Sequence, residues 1–176
     1  MSKKFIQVLI GAAAAGFIII GVEDLYAILF PPKPTLLSLI KSIPRKYDLD
    51  PLLVAAVIGK ESNGRVAAIK FEPAQMHRAR KISSSVEEQR ILASSIGPMQ
   101  VMGWHSKDLG ITWNELFDLE TNIHAGCKVL SDCMRKHEKK QKHEQIWMAL
   151  KCYNGSDDYA RSVYGRLADL LIARTL

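Results

Sequence analysis

The sequence predicts a mainly α-helical fold. Residue types that favour helices dominate the 176 residues, and no segment shows the sustained apolar-polar alternation of a half-buried strand. This length is enough for one domain with a real hydrophobic core and an additional segment. We divide the chain into an N-terminal apolar segment (residues 1–30), a proline-rich linker (31–34) and a helical domain (35–176).

The N-terminal segment predicts a transmembrane helix. Two lysines precede it, and from Phe5 to Val22 the only polar side chain is Gln7. About 18 apolar residues are near the minimum for a spanning helix, which needs roughly 20. We expect an uncleaved signal-anchor over Phe5–Phe30, with a cleaved secretory signal as the alternative. Basic residues on both sides leave the orientation open. The prolines of residues 31–34 cannot continue a helix and predict a short, stiff spacer.

Charge and cysteine content limit the partners and cofactors. A net charge of +6 indicates an anionic partner, which can be nucleic acid, anionic lipid or an acidic polymer such as cell wall. Three cysteines (Cys127, Cys133 and Cys152) are too few for a disulfide scaffold and fit no paired metal-ligand spacing. We expect Cys127 and Cys152 to be small core residues. A disulfide between Cys152 and one of the other two remains open.

One predicted helix, over residues 51–61, organises the domain. Asp50 can cap it, and Pro51 suits its first position, where the missing amide hydrogen would go unused. The seven residues from Leu52 to Ile58 are all apolar, which is too many for a helix with one face in water. We therefore expect a helix that is buried on nearly all sides.

Glu61, at the end of this helix, is the candidate general acid. Helical spacing places it on the same face as Val54, Val57 and Ile58. Apolar neighbours desolvate the carboxylate, and the negative end of the helix dipole repels its charge. Both effects raise the pKa, so the carboxyl can hold a proton near neutral pH. The alternative is a solvated residue just beyond a core helix, salt-bridged to a lysine or arginine.

Two later stretches combine turn signals with polar side chains. Gly97-Pro98 breaks the chain, and we expect a helical turn carrying Met99, Gln100 and Met102 to follow. A glutamine among apolar residues either finds hydrogen-bond partners in the core or faces a cleft. Tyr153 precedes the turn of residues 154–156, where its ring can be buried while its hydroxyl reaches a cavity.

Taken together, three short motifs resemble the lytic transglycosylase family, the lysozyme-like domain that cleaves peptidoglycan glycan strands. The motifs are Glu61-Ser62, Gly97-Pro98-Met99-Gln100 and Tyr153-Asn154-Gly155, and the likeness covers roughly residues 40–167. The insert between the first two motifs, with Phe71-Glu72-Pro73, resembles the phage and prophage muramidase branch. Two residues depart from the family pattern: Pro98 stands where leucine is usual, and Cys152 where alanine is usual.

The resemblance implies a role for each matching residue. Glu61 matches the catalytic acid/base, and the expected substrate-binding residues are Ser62, Glu72, Met99, Gln100, Tyr153 and Asn154. Glu72 can either pair with a basic neighbour such as Arg78 or Arg80, or enter the cleft and orient a water molecule.

The implied reaction cleaves the MurNAc-β-1,4-GlcNAc bond and forms 1,6-anhydroMurNAc, with no metal or cofactor. The alternatives are a hydrolytic muramidase that uses Glu61 with a second carboxylate such as Glu72, and a non-catalytic wall-binding module. A basic DNA-binding domain conflicts with the predicted membrane segment, so we expect no nucleic-acid partner. The expected partners are peptidoglycan strands and, through the N-terminal helix, a membrane. The expected location of the domain is the periplasm or another space outside the cytoplasmic membrane. The residues do not distinguish a phage particle, a secretion or conjugation machine and wall turnover as the setting.

Overall fold

The computed structural model describes residues 8–10, 18–20, 28 and 33–175. The chain divides into two units, the first ending at Pro34 and the second beginning at Thr35. In the first unit, strands β1 (Val8–Ile10) and β2 (Ile18–Ile20) pair antiparallel. The remainder of the predicted Phe5–Phe30 helix, except Ile28, lies outside the described residues. None of the helices in the described ranges is long and apolar enough to cross a membrane, and the membrane segment stays a prediction.

The second unit is mainly helical, as predicted. Its described part contains α1 (Leu36–Ser42), α2 (Pro51–Glu61), α3 (Met76–Ala79), α4 (Val86–Leu92), α5 (His105–Leu109), α6 (Leu119–Arg135), α7 (Lys142–Asn154) and α8 (Asp157–Thr175). Short 3-10 turns lie at Pro44–Tyr47, Pro73–Gln75 and Trp113–Phe117.

Helix α2 is the central element of the core, and its predicted cap and burial are confirmed. The Asp50 carboxylate accepts the Leu52 amide hydrogen at 2.8 Å, and Pro51 occupies the first turn. Its buried residues are Leu53, Val54, Ala56, Val57 and Ile58. Full burial of a valine, leucine or isoleucine side chain contributes about 1.5–3 kcal/mol. The packing of α2, with α8 as a major neighbour, therefore fixes the position of Glu61 at its C-terminal end.

A small sheet was not predicted. Strands β3 (Ile69–Phe71), β4 (Ser94–Ile96) and β5 (Val101–Met102) pair antiparallel in that order. The helical turn expected after Gly97-Pro98 is wrong, because residues 97–100 form the hairpin turn between β4 and β5. Gly97 and Gln100 both have positive φ, which a right-handed helix cannot contain.

Asn122 on α6 holds this hairpin in place through side-chain hydrogen bonds. Its fully buried side chain accepts the Met99 amide hydrogen at 3.2 Å and donates to the carbonyls of Ile96 and Leu116, both at 2.9 Å. A Cβ atom at Gly97 would lie 2.3 Å from the Asn122 amide nitrogen, so glycine is required there for close approach as well as for its φ.

A disulfide connects α6 to α7. It joins Cys133 and Cys152, which are 19 residues apart, and settles the pairing that the sequence left open. Cys127 is buried and free, as expected of a core residue, and burial raises the pKa of its thiol to about 12. Cys152 is exposed, so its predicted place in the core is wrong. The bridge lies directly before Tyr153.

We predict that reduction of the disulfide lowers the free energy of unfolding by about 3 kcal/mol, because the open loop gains chain entropy in the unfolded state. Urea unfolding of the wild type with and without reductant measures this difference. The matched control is Cys152→Ser, whose stability should match the reduced wild type and should not respond to reductant. Equal stability of oxidised and reduced wild type would contradict the prediction.

Candidate active site

A cleft of about 940 Å³ crosses the second unit and contains most of the predicted site residues. Its lining comes from the ends of α2 and α7, from the sheet and the segment after it, and from α3, α5 and α6. Of the predicted residues it contains Glu61, Glu72, Gln100, Tyr153 and Asn154. Asn154 is exposed at the last position of α7.

Glu61 is a largely desolvated carboxyl at the cleft. Burial raises its pKa, and the charge of Glu72 adds to the increase. The Tyr159 hydroxyl and the charges of Lys60 and Lys70 lower the pKa, but burial is the largest effect and the net direction is upward. Within the described ranges Glu61 makes no ion pair, which disfavours the alternative of a solvated, salt-bridged residue. Glu61 therefore has the raised pKa that the sequence predicts for a general acid.

Two tyrosines surround Glu61. The Tyr153 hydroxyl donates a hydrogen bond to the Met99 carbonyl at 2.8 Å. Its ring stacks on the Tyr159 ring, with centroids 6.5 Å apart and planes inclined by 19°. Burial, together with the charge of Glu61, raises the pKa of both phenols above the ordinary value. Both are neutral at physiological pH and offer an O–H group rather than a charge.

Ser62 and Met99 do not line the cleft, and their predicted contact with substrate is corrected. Ser62 is 2% exposed, and its hydroxyl donates to the Pro98 carbonyl at 2.9 Å. Met99 is fully buried against α6, where a Cβ atom at Gly126 would lie 2.4 Å from its sulfur. Both side chains instead hold the hairpin turn against the helices that carry the site.

Gln100 lines the cleft, but its amide is used within the protein. The side-chain oxygen accepts from the Ser95 hydroxyl at 2.8 Å. The side-chain nitrogen donates to the carbonyls of Gly97 at 2.9 Å and Ala68 at 3.2 Å, which uses both amide hydrogens. Both alternatives that the sequence left open are therefore realised: the Gln100 amide has hydrogen-bond partners within the protein, and the residue also lines the cleft. The Gln100 side chain can therefore hold a glycan only through the remaining lone pair of its amide oxygen.

Glu72 reaches the cleft and forms an ion pair with Lys70 at 2.8 Å, rather than with Arg78 or Arg80. The two side chains are 33% and 70% exposed, respectively, so the pair contributes at most about 1 kcal/mol to stability. Arg78 lies over the Trp104 ring instead, 4.4 Å from its centroid.

Sequence reasoning missed several residues of the cleft region. Lys70 and Tyr159 carried no signal, because both lie outside the three motifs. The ring centroids of Trp104 and His105 lie 3.8 Å apart, with the ring planes inclined by 32°. Burial lowers the pKa of His105 to about 4, so its ring is neutral at pH 7. The Trp104 indole nitrogen is buried without a hydrogen-bond partner in the described part of the chain. In those same ranges no three His, Cys, Asp or Glu side chains are grouped as metal ligands.

Comparison with known proteins gives the family. The family model of the transglycosylase SLT domain matches residues 38–166 of the chain. This range covers most of the second unit and contains every predicted site residue. A comparison with curated proteins found no match. The chain belongs to the transglycosylase SLT domain family, the lytic transglycosylases of the lysozyme-like superfamily, which act on peptidoglycan.

Proposed function

We propose that this domain cleaves the MurNAc-β-1,4-GlcNAc bond of peptidoglycan as a lytic transglycosylase, with Glu61 as general acid and base. One observation carries the proposal. Glu61 is a desolvated carboxyl with a raised pKa at the cleft and makes no ion pair within the described residues, whereas Glu72 at the same cleft is paired with Lys70. Of the two glutamates at the cleft, Glu61 is therefore the one whose pKa is shifted in the direction that a general acid requires.

A single carboxyl is sufficient for this reaction. Protonated Glu61 gives its proton to the glycosidic oxygen as the bond from that oxygen to C1 of MurNAc breaks. The resulting carboxylate takes the proton of the C6 hydroxyl of the same sugar, and that oxygen bonds to C1. The products are a free GlcNAc hydroxyl and a 1,6-anhydroMurNAc end. Glu61 regains its proton, and no water is consumed.

The surroundings of Glu61 suit both steps. Burial favours the protonated form that starts the cycle. Lys60 and Lys70 favour the carboxylate that exists after proton transfer. Tyr153 and Asn154 lie on the same cleft and can hold the sugar by hydrogen bonds.

A hydrolytic muramidase is the second candidate, because Glu72 lines the same cleft and its charge acts on Glu61. In that reaction Glu72 would orient a water molecule, and the product would be a reducing MurNAc end. The ion pair with Lys70 favours the first candidate, since it already occupies the Glu72 carboxylate.

We predict that Glu61→Gln reduces cleavage of purified peptidoglycan by roughly 100- to 10,000-fold, because an amide cannot donate the required proton. Release of soluble fragments measures the rate. The matched control is Glu144→Gln on α7, which removes a carboxylate paired with Lys140 outside the cleft and should leave the rate unchanged. Near-normal turnover by Glu61→Gln would refute the assignment.

We predict that Glu72→Gln still produces 1,6-anhydro ends, since the proposed route needs no second carboxylate. Loss of the Glu72 charge removes a cause of the raised Glu61 pKa, so the alkaline limb of the pH–rate profile should move to lower pH. Mass spectrometry distinguishes the products, because an anhydro end is one water lighter than a reducing end. Reducing ends from the wild type that disappear in the variant would establish the hydrolytic route.

We further propose that the domain works outside the cytoplasmic membrane, anchored by residues 5–30, because its substrate lies there. A reporter that is active only in the cytoplasm, fused after residue 176, should give no signal. The same reporter on a chain that lacks residues 1–30 should be active and serves as the control. A strong signal from the full-length fusion would contradict the proposal. A mature N-terminus after Gly21 would show cleavage rather than anchoring.

A further inference from the structure

We propose that Arg78 is a specificity-determining residue, whose guanidinium binds a carboxylate of the peptide stem on the glycan strand in the cleft. The role given to Arg78 rests on the proposed function, because it assigns a further group of the same substrate to one side chain. The cleft would then distinguish strands that carry charged stems from strands that do not.

Arg78 is an exposed cation of the cleft with no direct ionic partner. It lies on α3, lines the cleft and forms no ion pair with any described residue. Two other cations of the same cleft are paired, Lys70 with Glu72 and Lys128 with Asp132. The charge of Arg78 is therefore open to an anion that enters the cleft.

The Trp104 ring orients this guanidinium. The central carbon of the Arg78 guanidinium lies 4.4 Å from the ring centroid. Trp104 is half-buried, and its indole nitrogen has no hydrogen-bond partner in the described part of the chain, so its ring contacts hold its orientation. A guanidinium over an aromatic face keeps the N–H groups in its own plane for bidentate hydrogen bonds to a carboxylate.

Helix α4 fixes the backbones on both sides of this contact. Ala79, directly after Arg78, is fully buried in a cluster with Leu92 at the end of α4. The Trp104 amide donates to the Leu92 carbonyl at 2.9 Å. A Cβ atom at Gly103 would lie 2.5 Å from the carbonyl oxygen of Ile91, so the chain before Trp104 lies directly against α4. The arginine and the ring are thus held at the cleft by one support.

The neighbouring side chains leave Arg78 as the oriented cation at this position. Burial is the main cause of the lowered His105 pKa; the charge of Asp108 opposes it and the charge of Arg78 adds to it. His105 is therefore neutral and offers no competing charge. Lys60 and Lys136 also line the cleft without an ion pair among the described residues, but a lysine is a point charge on a flexible stem and lacks the planar fork.

The chemistry of the strand indicates which anion Arg78 meets. The sugars of peptidoglycan are uncharged, because an amide bond joins the lactyl carboxyl of MurNAc to the peptide stem. The free carboxylates lie on the stem, which is attached to the sugar that the cleft would hold. A guanidinium fork matches the planar geometry of such a carboxylate.

The test compares two forms of soluble glycan strands with intact stems. Native strands keep their free carboxylates, and capped strands have them converted to methylamides, which leaves any phosphate of the wall unchanged. For the wild type we expect kcat/KM to be about tenfold lower on capped strands, the size of one lost hydrogen-bonded contact between charged groups. Arg78→Gln should lose about tenfold on native strands and should cleave both forms equally well.

Two variants separate this role from stacking and from general charge. Arg90 lies over the Phe71 ring, 5.4 Å from its centroid, and neither residue lines the cleft. Arg90→Gln should therefore leave both rates unchanged. Lys136→Gln removes another cation of the cleft and should retain the preference for native strands.

Equilibrium binding gives a readout that does not depend on turnover. In the Glu61→Gln background, capped strands should bind about tenfold more weakly than native strands, and the added Arg78→Gln change should abolish the difference. Equal use of both forms by the wild type, a preference that survives Arg78→Gln, or its loss in Lys136→Gln instead would overturn the role of Arg78. The proposed function fails separately, if Glu61→Gln still cleaves native strands at a near-normal rate.

Discussion

The burial of one carboxyl at the end of one apolar helix is the constraint on which the site depends. Because the Glu61 pKa is raised on folding, its contribution to stability is complete below the unfolded-state pKa and is lost as pH rises through the folded-state pKa. This carboxyl therefore makes the free energy of unfolding lower at neutral pH than at acidic pH. The apolar surface that α2 buries offsets that cost and holds Glu61 in place.

The hairpin turn at residues 97–100 connects the elements that carry the site. Ser62 at the end of α2 donates to the Pro98 carbonyl, and Tyr153 on α7 donates to the Met99 carbonyl. Asn122 on α6 accepts the Met99 amide hydrogen. Three helices are thus bonded to adjacent peptide groups of one turn. The Gly-Pro-Met-Gln motif serves this site mainly through its backbone, and its side chains hold the turn in shape.

The sequence predicted those features that depend on local patterns, and missed those that depend on distant partners. Helix α2, its Asp50 cap and the raised Glu61 pKa follow from residues adjacent in the chain. The sheet was missed because strands of two or three residues are too short to show alternation. Whether Met99 or Gln100 faces the cleft depends on positive φ at Gly97 and Gln100, and Gly97 approaches Asn122 in another helix. The partner of Cys152 likewise lies in another helix, 19 residues away along the chain.

The opposing influences on Glu61 follow from the demands of a reaction with a single carboxyl. A group that must first donate a proton and then accept one fails if either state is too stable. Burial and the charge of Glu72 favour the acid, whereas Lys60, Lys70 and the Tyr159 hydroxyl favour the carboxylate. These groups come from the sheet region, from α2 and from α8, so the balance exists only in the folded domain. The Lys70–Glu72 pair adds one contribution of each sign. Its partly exposed ions therefore contribute more to the balance of the site than to the stability of the fold.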